Sequence, residues 1–259
     1  MISKRKAFIV GLKSYKLSNK EKFFLNKYKP WGIILFARNI KTIKQTKTLT
    51  ENIKKIFKDK KYPILIDQEG GRVNRLNRII SFDNLTSEYF GNLFQKKLSH
   101  PNILYNLFVD KTSYLLKMIG ANINTVPVLD LRVDGASNII GDRSFSKDKY
   151  IVSKMGDHCI DLFHNNSIGT VIKHIPGHGL AKVDSHKFTP IVKKTLKYLN
   201  KNDFYTFKNK KSYFAMTGHV IYDKLDKLNT ATHSKKIIQY IRNKIKFRNI
   251  LISDDISMK

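Results

Sequence analysis

Seven short apolar runs alternate with longer amphipathic stretches, and this alternation constrains the fold of the 259-residue chain more than any other feature. The predicted strands cover residues 7–12, 32–37, 62–67, 121–130, 168–174, 213–220 and 249–254. Helical patterns lie between them, near 19–28, 41–58, 88–119, 148–166, 194–209 and 233–246. Strands of continuous apolar character separated by helices indicate a parallel sheet covered on both faces. The pattern predicts an α/β fold, either a (β/α) barrel or a doubly wound sheet.

Polar residues at the strand ends favour the barrel. Five predicted strands end in polar clusters, which read ILFARN, LIDQEGGR, PVLDLRVDG, VIKHIPGHG and ISDD. A barrel assembles its active site from the carboxyl ends of several strands, whereas a doubly wound sheet concentrates ligand contacts at one switch point. No GxGxxG or Walker sequence is present. We therefore predict a TIM-type (β/α) barrel in a single domain, residues 1–259, with seven of eight strands and without the last strand and helices.

The formal net charge of +29 has two interpretations. A strongly basic chain is typical of proteins that bind nucleic acids or anionic membranes. The alternative is a general lysine bias, because lysines occur on nearly every predicted helix and no nucleic-acid-binding motif accompanies them. The even distribution favours the bias. We expect no specific nucleic-acid partner.

The remaining composition indicates a cytoplasmic protein. No apolar run approaches the roughly 18 residues of a membrane span, so no membrane insertion is expected. The apolar stretch near the basic N-terminus is too short for a signal peptide and lacks a small-residue cleavage site. A single cysteine, Cys159, excludes an internal disulfide and fits a reducing compartment.

Residues 173–190, KHIPGHGLAKVDSHKFTP, hold three histidines in eighteen positions. A zinc site of His174, His178 and His186 would lack an HExxH motif or a cysteine ligand. A phosphate-binding loop is disfavoured because the glycines are separated and no clear helix follows. In the third interpretation Asp184 contacts His186, because residues i and i+2 of an extended loop face the same way. The carboxylate would fix the imidazole tautomer and leave the second nitrogen for proton transfer.

Two further strand ends carry candidate ligand contacts. Asp67 ends a strand and precedes the Gly70–Gly71 turn and two arginines, so it could accept hydrogen bonds from ligand hydroxyls or simply cap a turn. Arg143 could clamp a ligand oxygen with its planar fork or lie on the surface of a loop. For Asp130 a structural role in fixing its loop is the favoured interpretation.

Two adjacent carboxylates, Asp254 and Asp255, follow the last predicted strand. A carboxylate at this position could serve as a nucleophile, a metal ligand or a general base. Neighbouring side chains of a strand point to opposite sides, so only one of the two should face the site. A magnesium site is disfavoured because no further acidic cluster is evident to complete it.

Taken together these stretches resemble the bacterial β-N-acetylhexosaminidases of glycoside hydrolase family 3. The resemblance rests on ILFARN, DQEGGRVNRL, VPVLD, IGDRSF, KHIPGHG with DSHKFTP, GHVIYD and SDDISM, which occur in family order from near residue 30 onward. It implies a cytosolic barrel of the family's N-terminal type. The implied activity is removal of terminal β-linked N-acetylglucosamine from muropeptides that contain 1,6-anhydro-N-acetylmuramic acid, in peptidoglycan recycling.

The resemblance also implies a role for each matched residue. Asp254 matches the nucleophile, His186 matches the general acid/base, and Asp184 matches the dyad partner of that histidine. The residues that match the sugar-binding positions are Asp67, Arg75, Arg143, Lys173 and His174. A retaining glycosidase normally uses two carboxylates, and here an Asp–His pair would replace the second.

Further expectations follow from the resemblance and from the strand count. No metal or organic cofactor is implied. The expected partner is an N-acetylglucosamine-containing muropeptide, and a monomer is expected unless a partner covers the open barrel edge. The alternative function is a shortened relative that is inactive or only binds sugar.

Overall fold

The computed structural model describes residues 5–96, 101–184 and 188–258. The strands are β1 (Lys6–Gly11), β2 (Pro30–Leu35), β3 (Ile64–Ile66), β4 (Ile123–Asn124), β5 (Gly169–Ile175), β6 (Ile191–Val192), β7 (Phe214–Thr217), β8 (Ile221–Tyr222) and β9 (Ile250–Ser253). The α-helices are α1 (Asn19–Tyr28), α2 (Ile43–Phe57), α3 (Ser87–Gln95), α4 (Pro101–Met118), α5 (Lys149–Asn165), α6 (Leu196–Lys201) and α7 (Lys235–Tyr240). Single turns of 3₁₀-helix cover Ala37–Asn39, Gly141–Arg143 and Tyr205–Phe207, and a π-helical turn, Ile241–Ile245, continues α7.

Seven of the strands form one parallel sheet in the order β1-β2-β3-β4-β5-β7-β9. The order in the sheet follows the order in the chain, as in a barrel, whereas a doubly wound sheet reverses its order at a switch point. All seven predicted strands are in this sheet, and the predicted parallel barrel-type fold is confirmed. A separate parallel pair, β6 with β8, was not predicted because two-residue strands are too short to give a periodic pattern.

Two predicted elements are shorter in the structure. The strand predicted over 121–130 pairs regularly only at β4, and beyond it Val128 forms an isolated bridge to Lys173. Pro127 lies between β4 and this bridge and has no N–H for a ladder hydrogen bond. The helix predicted over 88–119 is divided into α3 and α4, and α4 begins at a proline, a residue suited to the first turn of a helix.

Most helices begin at a side-chain cap that the sequence supplies. Ser18 forms a capping box with Glu21 at the start of α1, which satisfies two backbone N–H groups at once. The caps of the later helices accept a backbone N–H two or three residues on, and they are Thr42, Thr86, Asp148, Thr195 and Ser234. Each such cap stabilises its helix by about 1 kcal/mol.

Alternate residues of the strands pack on opposite faces of the sheet. In β3, Ile64 and Ile66 belong to the main hydrophobic cluster, which also contains the buried side chains of the helices. Leu65 points to the other face, where it packs with Ile123 and Val171. Burying each of these aliphatic side chains contributes about 1.5–3 kcal/mol, so both faces fix the strand register. The parallel register brings the carboxyl ends of the strands to one edge of the sheet.

Asp203, just after α6, is a buried acid that sequence reasoning did not single out. Asp203 is 2% exposed, and neither of its carboxylate oxygens has a hydrogen-bond partner among the described residues. It packs against Gly177, in the loop that follows β5. Burial, reinforced by the charge of Asp130, raises the pKa of Asp203 from 3.8 to about 7. Between about pH 4 and about pH 7, the folded protein therefore keeps a proton on this carboxyl group that the unfolded chain releases.

We expect Gly91→Ala to destabilise the protein strongly. Gly91 is buried in α3, and a methyl group there would overlap the backbone oxygen of Phe145. Alanine normally stabilises a helix relative to glycine by about 1 kcal/mol. A decrease of about 2 kcal/mol or more in the free energy of unfolding would therefore come from the overlap with Phe145. Chemical denaturation measures the change. Asn92→Ala, at an exposed position of the same helix, is the control, and equal stabilities of the two variants would contradict the packing.

Asp203→Asn should change how stability depends on pH. Because the unfolded carboxyl releases its proton near 3.8 and the folded one near 7, wild type loses stability relative to the variant as pH rises from about 4 to about 7. The full difference is on the order of 4 kcal/mol at most. Chemical denaturation at about pH 5 and pH 7.5 measures it. Asn202→Ala changes an uncharged neighbour and should shift the free energy of unfolding equally at the two pH values. The same result for Asp203→Asn would contradict the raised pKa of Asp203.

Candidate active site

A buried ion cluster lies at the carboxyl ends of β3, β4 and β5. The ammonium group of Lys173, on a side chain that is 3% exposed, contacts Asp67 and lies 2.5 Å from a carboxylate oxygen of Glu69. The hydroxyl of Thr125 donates to Asp67 Oδ1 at 2.7 Å. The cluster therefore ties together three neighbouring strand ends whose residues are far apart in the chain.

Two arginines complete the cluster. Arg75 Nη2 donates to Asp67 Oδ2 at 2.6 Å. Arg143 grips Glu69 with both sides of its fork, and its Nε and Nη2 donate to the two carboxylate oxygens at 2.8 Å each. Paired N–H donors of this kind fix a carboxylate in both position and orientation. The structure thus brings together Asp67, Arg75, Arg143 and Lys173, four of the five residues predicted to contact sugar.

The charges of this cluster keep its two carboxylates, Asp67 and Glu69, ionised. Burial by itself would raise the pKa of Asp67, but the nearby charges of Lys173, Arg75 and Arg143 hold it far below its usual range. Burial is likewise outweighed at Glu69, where Arg143 and Lys173 lower the pKa. The pKa of Arg143 is raised because the carboxylate of Glu69 outweighs burial. Three cations face two carboxylates, which leaves one excess positive charge for a ligand's oxygen atoms.

The glycine pair after Asp67 forms the sharp turn suggested by the sequence. Gly70 and Gly71 have φ of 95° and 53°, in the left-handed region that favours glycine. A side chain at Gly70 would overlap the carbonyl oxygen of Leu85. The turn places Glu69 beside Lys173, although sequence reasoning does not single out Glu69. The available signal was that Glu69 lies two residues after Asp67, since residues i and i+2 of an extended segment face the same way.

Asp130 fixes the backbone at the end of β5. Its carboxylate accepts hydrogen bonds from the backbone N–H groups of His174, at 3.2 Å, and of His178, at 2.6 Å. It also lies 2.6 Å from His174 Nδ1. A carboxylate accepts hydrogen bonds, so Nδ1 of His174 carries a proton and the ring presents Nε2 on its other side. These contacts confirm the loop-fixing role expected for Asp130.

Burial and the neighbouring His174 lower the pKa of His178 to about 4, so this imidazole is neutral near pH 7. The ring centres of His174 and His178 are 5.5 Å apart. Among the described residues, no group of three or more His, Cys, Asp and Glu side chains is arranged to hold a metal ion. The zinc interpretation also involves His186, which lies outside the described residues.

Asp254, at the end of β9, faces this histidine. Asp254 Oδ2 lies 4.0 Å from His174 Nε2, a separation too long for a direct hydrogen bond. The side chain of Asp254 is 22% exposed, and its Oδ1 accepts the backbone N–H of Asp255 at 2.8 Å. Asp255 is more exposed, and its carboxylate accepts the N–H of Ser257. Of the two adjacent aspartates, the first therefore approaches His174.

The predicted Asp184–His186 contact cannot be placed in the same way. His186 lies outside the described residues, so the dyad stays a prediction. Asp184 is described, and its carbonyl oxygen accepts the N–H of Phe188 at 2.9 Å. This hydrogen bond joins the two ends of the segment that contains the histidine.

A cavity of about 930 Å³ lies at the opposite, amino end of the strands. It is lined by residues that include Pro63, Asn122, Gly169 and Phe214, each at or just before the start of a strand. None of the predicted site residues lines it. Active sites of barrel enzymes occupy the carboxyl ends, so the ion cluster is the candidate site and this cavity is not. In the described part of the chain, no helix is both long and apolar enough to cross a membrane.

Comparison with known proteins places the chain in a family. Residues 6–259 match the glycosyl hydrolase family 3 N terminal domain. A beta-hexosaminidase from Haemophilus influenzae is 30% identical over 261 residues, which cover 98% of this chain and 72% of that protein. A beta-hexosaminidase from Idiomarina loihiensis is 32% identical over 235 residues, covering 88% of this chain and 68% of that protein. The chain thus spans about 70% of the length of these two relatives.

Solved structures agree with this assignment. NagZ from Neisseria gonorrhoeae superimposes with a TM-score of 0.89 at 28% identity, over 98% of this chain and 75% of that one. A second structure of the same enzyme, in complex with N-trifluoroacetyl-D-glucosamine, matches equally well. Sequence, fold and the strand-end ion cluster lead to one conclusion: the chain belongs to glycoside hydrolase family 3, among the β-N-acetylglucosaminidases of the beta-hexosaminidase type.

Proposed function

We propose that the protein is a retaining β-N-acetylglucosaminidase that removes terminal β-linked N-acetylglucosamine from anhydro-muropeptides during cell-wall recycling. The observation that carries the proposal is the ion cluster of Lys173, Asp67 and Glu69, which lies beside the His174–Asp254 pair. Relatives named beta-hexosaminidase, and a related enzyme that binds a glucosamine derivative, support the substrate class.

The polar groups of the cluster suit the hydroxyl groups of a sugar. Each hydroxyl can donate one hydrogen bond and accept others, so a carboxylate such as Asp67 and cations such as Lys173 and Arg75 bind it from both sides. His174 Nε2 can form a further hydrogen bond with a sugar hydroxyl group, because Asp130 holds the other ring nitrogen. The 4.0 Å between His174 and Asp254 leaves space for a bridging substrate atom. These contacts would hold the anomeric carbon near Asp254.

In the first step of the proposed reaction, Asp254 attacks the anomeric carbon and the bond to the leaving oxygen breaks. His186, held by Asp184, donates its proton to that oxygen. In the second step His186 takes a proton from water, and the resulting hydroxide displaces Asp254 from the glycosyl–enzyme. The sugar leaves with its original configuration, and Asp254 and His186 return to their starting states. The chain's own residues supply the nucleophile and the acid/base in this scheme.

The setting of the proposed reaction is the cytoplasm. The substrate would be a disaccharide of N-acetylglucosamine and 1,6-anhydro-N-acetylmuramic acid that carries a peptide. The competing function is a relative that binds sugar without hydrolysing it. The second function would keep the Lys173 cluster but would not need Asp254 as a nucleophile.

Purified protein should hydrolyse 4-nitrophenyl β-N-acetylglucosaminide and release 4-nitrophenol. Asp254→Asn should lower kcat by about 10³-fold or more because the nucleophile is lost. Asp255→Asn is the matched control, since it makes the same change one residue away at a more exposed carboxylate, and it should retain activity within about tenfold. Release of 4-nitrophenol, followed by absorbance, measures both. A folded wild type without turnover would favour the sugar-binding function, and equal losses in both variants would contradict the assignment of Asp254.

A further inference from the structure

A cluster of arginines lies beside the sugar site. Four of the chain's nine arginines lie in two neighbouring loops: Arg38 after β2, and Arg72, Arg75 and Arg78 after β3. Arg72 forms an ion pair with Asp142, and the other three form the cluster. The other 40 of the 49 basic residues are lysines. A general lysine bias therefore does not account for guanidinium groups concentrated at this edge of the sheet.

Aromatic rings hold these guanidinium groups. The guanidinium carbon of Arg38 lies 4.4 Å from the ring centre of Phe36, and that of Arg75 lies 5.8 Å from the same ring. Arg78 Nη1 donates to the hydroxyl of Tyr15 at 2.7 Å. Such cation–π contacts orient the planar groups without neutralising their charge. We call Arg38, Arg75 and Arg78, together with these two rings, the guanidinium patch.

Hydrogen bonds fix the loops that carry the patch. The buried Asn39 side chain donates to the carbonyl oxygens of Leu12 and Ser14 at 3.0 Å each, which joins the loops after β1 and β2. Arg38 Nε donates to the same Leu12 oxygen at 2.8 Å. Phe36 N–H in turn donates to Asn39 Oδ1 at 3.0 Å. The patch is thus attached to an ordered backbone.

The positive charge of the patch is largely uncompensated. Segments 11–16, 36–42 and 72–80 contain seven basic residues and no acidic residue. Across residues 5–96, 101–184 and 188–258, no carboxylate approaches Arg38 or Arg78 to within 4.0 Å, while Arg75 pairs with Asp67. Arg75 Nε is buried, and no described group accepts its hydrogen bond. The guanidinium groups that remain available to a ligand are those of Arg38 and Arg78, which are exposed.

We propose that the guanidinium patch is a subsite for a carboxylate on the peptide portion of the leaving group. Arg75 connects the patch to the sugar site through Asp67, while Arg38 and Arg78 are exposed. A ligand group that extends out of the buried sugar site can reach them. Planar guanidinium forks match carboxylates, and their charge survives at any physiological pH. This inference rests on the proposed function and adds a preference among its substrates.

The test compares two disaccharides, each with N-acetylglucosamine β-linked to 1,6-anhydro-N-acetylmuramyl-alanyl-glutamate. In one the glutamate carboxylates are free, and in the other both are amides. At low ionic strength wild type should show a kcat/KM about tenfold higher for the acid than for the amide. The double variant R38Q/R78Q should lower this ratio to near one. R248Q removes an exposed arginine near the amino end of β9 and should keep the wild-type ratio, which controls for overall charge.

The outcomes separate this inference from the proposed function. Hydrolysis of both substrates with a wild-type ratio near one would overturn the subsite and leave the glycosidase proposal intact. An equal fall in R248Q and R38Q/R78Q would also overturn it, since total charge would then explain the preference. If neither substrate is hydrolysed, the glycosidase proposal fails. Calorimetric binding of the two disaccharides then tests whether the guanidinium patch binds the carboxylate. Tighter binding of the acid that depends on Arg38 and Arg78 would support it, and equal or absent binding would overturn it.

Discussion

The ammonium group of Lys173 lies between the carboxylates of Asp67 and Glu69, and the arrangement of the candidate site depends on this buried contact. Charges removed from water need close partners, and deleting one partner of such a group typically costs about 3–5 kcal/mol. Arg143 and Arg75 supply the remaining partners, one to each carboxylate. The side chains therefore have little freedom to separate, and the ends of β3 and β5 keep a fixed relative position. The hydroxyl groups of a ligand would then bind donors and acceptors that are already in place.

A second carboxylate organises the neighbouring part of the site. Asp130 accepts hydrogen bonds from two backbone N–H groups and from the imidazole of His174, which orients Nε2 toward Asp254. The ion cluster and the Asp130 contacts lie on adjacent residues of β5, since Lys173 and His174 follow one another. The end of β5 thereby connects the ion cluster to the proposed nucleophile, Asp254. Asp203, protonated up to about pH 7, packs beneath the loop that continues from this strand.

The sheet could be predicted from the sequence because buried parallel strands are continuous apolar runs, as in residues 32–37 and 168–174. The candidate site could be located because parallel strands bring their carboxyl ends to one edge, where Asp67, Lys173 and Asp254 follow three different strands. The pairings could not be predicted in the same way. Lys173 and Asp67 are 106 residues apart, and their contact depends on strand register.

Other features leave even less trace in a single sequence. Thr125 and Asp203 occur in no motif, and their importance comes from burial and from neighbours that only the fold supplies. The individual roles of Asp254 and of the Asp184–His186 dyad came from the family resemblance. The chemistry of these residues alone was compatible with several kinds of site.

The role of Asp254 as nucleophile is tested most directly by identifying the residue that bonds to the sugar. A 5-fluoro derivative of N-acetylglucosaminyl fluoride should form a slowly hydrolysed glycosyl–enzyme, because fluorine disfavours the positively charged transition state of the second step. Mass spectrometry of the digested protein locates the adduct. If Asp254 is the nucleophile, a single adduct on Asp254 is expected. Turnover of the reagent with an adduct on another residue, or with none, would contradict it.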